Sequence, residues 1–248
     1  MSSADEGAVL RALWGVAARD ASRPGPKPSI TLVAILDAGI AVADDRAGPA
    51  LSMRTVADRL GCTPMALYTH VPSRDALQLL MVDRVHRELP AVESVQGWAG
   101  AVAELHARHH WIADVSWARP IQGPNEQRTL ERLLELLAGL DLRPGTSRTV
   151  ASAVYALSRE AGRLIGDARF ANATGEPEDR WWAAHSATMA QLVPDFAARY
   201  PRSASLEGPG WPPEGEAYLE WLARTEMERA VGLVLAGAGL RPGAPPRG

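Results

Sequence analysis

The sequence predicts an all-α protein, with an N-terminal three-helix helix-turn-helix domain followed by a C-terminal helical bundle. Three observations lead there. Apolar residues recur at helical spacing along most of the 248 residues, and alternating β-branched runs are few. Residues 53–77 hold two short amphipathic segments separated by a glycine-bearing turn and followed by a longer one. Pro/Gly clusters at 23–28, 201–215 and beyond 236 punctuate the rest. These breaks divide the chain into an extension with a basic, Pro-rich arm (1–28), a helix-turn-helix domain (29–90), a helical bundle (91–237) and a disordered tail (238–248).

The elements follow in order. Ala8–Arg19 carries Val9, Leu10, Leu13, Trp14 and Ala17 at helical spacing. Arg23-Pro-Gly-Pro-Lys-Pro28 is stiff and basic. It reads either as a solvated linker or as an arm that lays Arg23 and Lys27 along a minor groove. In Ser29–Asp45, Leu32, Ile35, Leu36, Gly39 and Ile40 form a packed face. Met53, Val56, Ala57 and Leu60 fall at i, i+3, i+4 and i+7 and make one apolar face. Ser52 can cap that helix, and Gly61 suits the left-handed residue after it. Thr63 is a plausible N-cap for a short helix, Pro64 suits its first position, and Leu67 returns it to the core. A connecting helix follows at 75–90.

In the second half the spacing predicts helices at Trp98–Ile112, Asn125–Ala138, Thr146–Phe170, Asp179–Leu192 and Ala217–Leu235, with a loop at 201–215. The 146–170 helix is rich in Ala and Gly, which permits close approach of a neighbour.

The region from Ser29 to Val85 resembles the DNA-binding domain of the TetR family of bacterial repressors. Leu51-Ser-Met-Arg-Thr-Val-Ala-Asp-Arg-Leu60 resembles the family's second helix and Thr63–Thr69 its recognition helix. Leu67-Tyr68 and His70 stand as its Leu-Tyr-x-His stretch, and Arg74-Asp75-Ala76-Leu77 opens the fourth helix. Val71 departs from the family's frequent Phe. A weaker resemblance to the tetracycline-repressor branch runs through residues 90–237, with Ala118-Arg-Pro-Ile-Gln-Gly-Pro-Asn125 as a connector. The resemblance implies a homodimer built on the helices at 146–170 and 216–236, a palindromic double-stranded DNA operator and a small-molecule effector. Whether the protein represses, as most of the family does, or activates depends on operator position.

Recognition-helix chemistry selects the DNA-binding candidates. Thr63, Pro64, Met65 and Ala66 open the helix that meets base edges, and Met65 and Ala66 suit a thymine methyl. Tyr68, Thr69 and His70 lie at its far end, within reach of phosphates. Arg74 opens the next helix, where free N–H groups also suit an anion. Arg54 and Thr55 on the preceding helix, and Lys27 in the arm, complete the set. Tyr68 also reads as a half-buried core aromatic, and Arg54 as a solvated helix charge.

Seven of the eight Trp lie after residue 97. Trp98, Trp111, Trp117, Tyr155, Phe170 and Trp181, with His109 and Arg159 as polar anchors, are the ligand-binding candidates for an apolar or aromatic effector. Each of these rings also reads as ordinary core packing.

Other classes find little support. Residues 1–88 balance ten basic against ten acidic side chains, leaving the net −3 on the remainder. Basic character for DNA is therefore local. Cys62 is the only cysteine, so an internal disulfide is excluded. His106, His109 and His110 share a helix face but lack the Glu placement of a zinc hydrolase helix, and no metal or other cofactor is expected. No nucleophile elbow, phosphate loop or dinucleotide fingerprint occurs, so no catalytic residue is assigned. No run reaches the ~20 apolar residues of a membrane span. The acidic opening at Asp5 and Glu6 does not resemble a signal peptide, and a cytoplasmic location is expected. The alternative function is a small-molecule binding protein with little specific DNA binding.

Overall fold

The computed structural model describes residues 3–15, 30–45, 48, 50–116, 122–140, 142–143, 145–206 and 210–239. Among these residues there are helices and no strands. The 1–28 arm beyond residue 15, with Arg23 and Lys27, lies outside the described residues, as do Trp117 and the tail from residue 240.

The first helix, α1, runs from Ser3 to Leu13 and ends earlier than its apolar spacing predicts. Trp14 and Gly15 form a turn, with Gly15 at a left-handed φ of 69°. α1 packs on α5 (Arg74–Val85) and buries Val9. α2 (Leu32–Asp44) is capped by the Thr31 hydroxyl, which accepts from Ala34 N. It buries Ile35, Leu36, Ala38, Val42 and Ala43 toward α3 (Met53–Leu60) and α5. α4 (Pro64–Tyr68) follows α3 after a short turn. Arg84 of α5 grips Asp37 of α2 through two hydrogen bonds of 3.0 and 3.3 Å.

The second core lies among α6 (Val95–Arg108), α7 (Pro124–Ala138), α8 (Ser147–Thr174) and α12 (Tyr218–Gly237). The predicted 98–112 helix is interrupted. α6 ends at Arg108, and His110–Asp114 is a separate 3-10 turn after His109 leaves the helical region at φ −105°, ψ 63°. α6 and α8 pack most extensively, because Gly162 lets the backbones touch. A Cβ there would collide with the Ala103 carbonyl oxygen and the His106 side chain. Arg169 of α8 then ties three helices, with bonds of 2.8 and 3.0 Å to Glu104 on α6 and one of 3.0 Å to Glu220 on α12.

α9 (Glu178–Leu192), α10 (Phe196–Arg199) and α11 (Pro201–Ala204) bury no residue. Pro201 starts α11 from the first helical position, so the 201–215 segment is not wholly loop as its composition predicts. Among the described residues no helix is long and apolar enough to cross a membrane.

Gly162→Val should lower unfolding free energy by about 1–3 kcal/mol, the usual cost of overpacking. Denaturant titration measures this, and an unchanged midpoint and slope would contradict the close α6–α8 approach.

Candidate nucleic-acid interface and the cavities behind it

The helix-turn-helix is fixed by local bonds. Ser52 and Thr55 cap α3 reciprocally: Ser52 Oγ accepts from Thr55 N at 3.1 Å, and Thr55 Oγ1 accepts from Ser52 N at 2.9 Å. The Thr55 hydroxyl therefore already has a structural task. Gly61 takes φ 67°, ψ 33° and turns the chain into α4. Thr63 stands at the N-cap but makes no side-chain cap bond.

Leu67 and Val71 are fully buried and anchor α4 by one face. Met65 and Tyr68, three residues apart, project from the other at 75% and 47% exposure. Tyr68 is thus not a core aromatic. Thr63, Pro64 and Thr69 are exposed, and Ala66 and His70 are partly so. The Thr69 hydroxyl donates to Ala66 O at 2.7 Å. Arg54 lies on the exposed surface of α3, 4.0 Å from Asp58. Arg74 Nε donates to Leu51 O at 2.9 Å and pins the start of α5 beside the start of α3. Ten of the eleven DNA-binding candidates therefore sit on α3, α4 and the residues leading into α5. The eleventh, Lys27, is outside the described residues.

The far end of α5 grips the second half of the chain. Asp83 is buried and accepts from Asn125 N (2.8 Å), Glu126 N (3.0 Å) and Asn125 Nδ2 (2.6 Å). The two backbone donors are first-turn N–H groups of α7, which have no partner within their own helix, so the carboxylate caps α7 from outside. A Cβ on Gly123 would collide with that carboxylate.

One turn further, the His86 ring Nδ1 lies 2.8 Å from Val82 O. A carbonyl only accepts, so Nδ1 carries the proton and Nε2 a lone pair. Nε2 is buried and meets no hydrogen-bond partner among the described residues. Burial pushes the His86 pKa down, against the Val82 bond, so the ring stays neutral.

A cavity of about 470 Å³ opens between His86, α7 and α8, with Glu126, Leu130, Leu134, Ala151 and Tyr155 in its wall. His86 and Thr129 also border a smaller space of about 180 Å³ toward Trp98 on α6. A third hollow, about 720 Å³, lies among the end of α8, α9 and the approach to α12, where Trp182, Trp211 and Tyr218 line it. It is larger, but unlike the other two it does not reach His86, the residue that follows α5. The 470 Å³ cavity and the smaller space both reach His86 at the end of α5, and the 470 Å³ cavity is the larger of these two.

A second link joins the two halves. His109 is buried, with Nδ1 2.8 Å from Asp44 Oδ1 and Nε2 3.2 Å from Glu88 Oε2. Both partners are carboxylates, so both ring nitrogens donate and the ring is an imidazolium. Trp111 Nε1 also donates to Asp44 Oδ1 at 2.8 Å, and Arg108 reaches Glu88 at 2.7 Å. Burial opposes the charge on His109, but Asp44 and Glu88 outweigh it and raise its pKa. His106, one turn earlier, is driven the other way, to about 3, by burial and by Arg159 and neighbouring histidines.

The ligand candidates therefore separate. Tyr155 lines the 470 Å³ cavity and Trp98 the smaller one, where its Nε1 donates to Thr129 O at 2.9 Å. Arg159 is one turn from Tyr155 on α8. His109 and Trp111 serve the Asp44 link and border none of these three spaces. Phe170 and Trp181 face solvent, Trp181 stacked on His185 at 4.8 Å, and Trp117 is outside the described residues. The three histidines at 106, 109 and 110 do not converge. No group of three or more metal-capable side chains occurs among the described residues. Sequence reasoning missed His86, Asp83 and Glu126; the available signal was a polar residue on each buried face of the 75–90 and 125–138 helices.

No protein-family model matches the sequence. The HTH-type transcriptional repressor DrrR1 of Streptomyces coeruleorubidus is 33% identical over 220 residues, spanning 82% of this chain and 78% of that protein. The fold is similar to that of ActR, a Streptomyces coelicolor TetR family protein solved in complex with (S)-DNPA. That similarity has a TM-score of 0.60 and 22% identity over 87% of this chain and 100% of the other. SCO7222, a TetR regulator from the same organism, has a TM-score of 0.58 and 20% identity over 86% and 100%.

The histidines set opposite pH limbs. His109, with a raised folded pKa, contributes stability that is full below its unfolded value of about 6.5 and is lost as pH rises through the folded value. His86 and His106, with depressed values, contribute stability that is full above about 6.5 and is lost as pH falls. Unfolding free energy should therefore peak near pH ~6.5. Asp44→Asn should flatten the alkaline limb in denaturant titrations across pH. An unchanged alkaline limb would refute the imidazolium link.

Proposed function

The chain belongs to the TetR family of helix-turn-helix transcriptional regulators, and we propose that it is a homodimeric repressor released from a palindromic operator by a small effector. The observation that carries this reading is the continuity of α5. One end is pinned by Arg74 beside the start of α3, which packs on the recognition helix, and the other is fixed by Asp83 to the start of α7, beside the cavity. Twelve residues of α-helix span about 18 Å, so α5 acts as a lever between ligand and DNA.

Met65 with Ala66 is the base-reading pair, and Thr63, Tyr68, Thr69, His70, Arg74 and Arg54 hold phosphates. Thr55 acts mainly by fixing α3. In the dimer the two α4 helices occupy major grooves about 35 Å apart, one turn of DNA or a multiple. An effector in the α5–α7–α8 cavity favours a different α5 position and misaligns them. A 100-fold preference of effector for the released state corresponds to ~2.7 kcal/mol of coupling. The likeness to a protein named as a repressor and to one crystallised with a small molecule supports this assignment.

Dimerisation is supported by apolar side chains left outside the core on the long helices: Leu164 and Phe170 on α8, and Leu233 on α12, exposed to 75%. A second copy packing α8 and α12 against their counterparts would cover them.

Operator selection from random duplexes, followed by fluorescence anisotropy at two salt concentrations, tests the reading. Selective, salt-sensitive binding is expected, and equal weak binding to all duplexes would overturn it. Tyr68→Phe should weaken binding several-fold without unfolding, whereas full affinity would remove its hydroxyl from the phosphate contacts. Met65→Ala should change sequence preference more than salt slope; a uniform loss on all sequences would contradict base reading. Leu233→Glu should shift the sedimentation coefficient to that of a monomer and reduce operator affinity. A persistent dimer would place the interface elsewhere.

A further inference from the structure

We propose that the smaller space, where the end of α5 meets α6 and α7, binds an aryl carboxylate, with the ring against α6 and the carboxylate among Arg87, Arg128 and Arg132. It is a second site beside the effector cavity, and binding there does not require that the protein release DNA.

Helix geometry builds the walls. Asn125, Arg128, Thr129 and Arg132 fall at i, i+3, i+4 and i+7, so one face of α7 is turned to this space. Trp98, Ala101 and Val102 present one face of α6 in the same way. The segment from His86 to Val92 closes a third side and carries Arg87 and Leu89.

Every charged side chain in the wall is an arginine. The neutral polar groups are engaged with one another or with groups behind the wall. Thr129 Oγ1 donates to Asn125 O at 3.0 Å, Trp98 Nε1 donates to Thr129 O at 2.9 Å, and Asn125 Nδ2 donates to Asp83 at 2.6 Å. His86 is neutral, with Nδ1 donating to Val82 O and Nε2 enclosed. The guanidiniums are therefore the groups with donors to offer. Arg132 is held by Val92 O at 3.0 and 2.6 Å and by Glu135 at 2.9 Å. Arg128 is held by Pro124 O at 3.3 Å and by the Asn125 side-chain oxygen. A guanidinium has more N–H donors than these anchors use, so both groups are fixed without being exhausted.

Charge and size select the ligand. Two carboxylates touch these residues: Glu135 pairs with Arg132, and Asp83 binds Asn125. Three cations against these two anions leave one positive charge, which a carboxylate neutralises. A phosphate ester, with about two negative charges, would exceed it. Planar guanidiniums also match a carboxylate by two-point contact. An apolar cavity of about 150 Å³ holds benzene, so this volume of about 180 Å³ suits one ring and its carboxylate. Trp98, Val102 and Leu89 supply apolar surface for the ring.

The full-length protein is titrated by calorimetry at neutral pH in low-chloride buffer with benzoate, benzamide, benzylammonium, acetate and phenyl phosphate. Benzoate should bind about tenfold more tightly than benzamide, which lacks the charged acceptor, and more tightly than the other three probes. Arg87→Gln and Arg128→Gln should each remove most of the benzoate–benzamide difference while leaving benzamide bound. Ala101→Trp, which fills the space from α6, should block both. Arg148→Gln alters the arginine in the wall of the 470 Å³ cavity and should leave benzoate affinity unchanged. Circular dichroism verifies each fold, and the two exposed-arginine variants decide the matter if Ala101→Trp does not fold. Absence of benzoate binding, equal or tighter binding of any other probe, or an unchanged preference in either arginine variant would overturn the proposal. So would wild-type benzoate binding in a folded Ala101→Trp, and loss of benzoate binding in Arg148→Gln would overturn it by placing the carboxylate in the larger cavity.

Discussion

The buried carboxylate of Asp83 is the interaction on which the arrangement of the two halves depends. It is a charged group held 3% exposed, and its environment is built to receive it. Two backbone N–H groups at the start of α7 and the Asn125 amide converge on it, and Gly123 keeps space beside it. A buried charge lacking such partners would cost several kcal/mol. The bond therefore fixes where α7 begins relative to the end of α5. Since α7 forms a wall of the cavity and α5 is pinned beside α3, which packs on the recognition helix, one carboxylate–helix contact relates the cavity to the helix-turn-helix.

The Asp44–His109 link complements it on the other side of the junction. Asp44 ends α2, inside the helix-turn-helix domain, while His109 ends α6 in the bundle. The two links differ in kind. The Asp83 cap joins a carboxylate to backbone and amide donors at a helix start, whereas the His109 link joins side chains across the junction.

The local elements were legible in the sequence, because their causes are local. Ser52, Gly61, Pro64 and Leu67 define the two short helices through capping, turn and burial within a few residues. Helix-period spacing also placed α7, α8, α9 and α12 within a few residues of their observed ends. The N-terminal helix was shifted because apolar spacing continued past Gly15. The 98–112 helix was read as continuous because nothing nearby announced that His109 would turn out of the helix to meet Asp44, 65 residues earlier.

The candidate cavity was less legible for the same reason. Two of its polar residues, His86 and Glu126, belong to different segments, and neither alone tells which helix it faces. Trp density pointed toward the correct half of the chain but not to the correct walls. Trp98 borders the smaller space, Trp111 braces the junction, and Trp181 lies on a helix that buries nothing. Rings at helical spacing report burial or exposure only when the neighbouring helices are known.

The most direct test of α5 as the connecting lever is the ratio of operator affinity to random-duplex affinity in Asp83→Asn, with circular dichroism verifying the fold. The account predicts that random-duplex binding, which depends on surface charge, is unchanged while operator affinity falls by about tenfold or more as the recognition helices lose their fixed position. A folded variant with the wild-type ratio would contradict it.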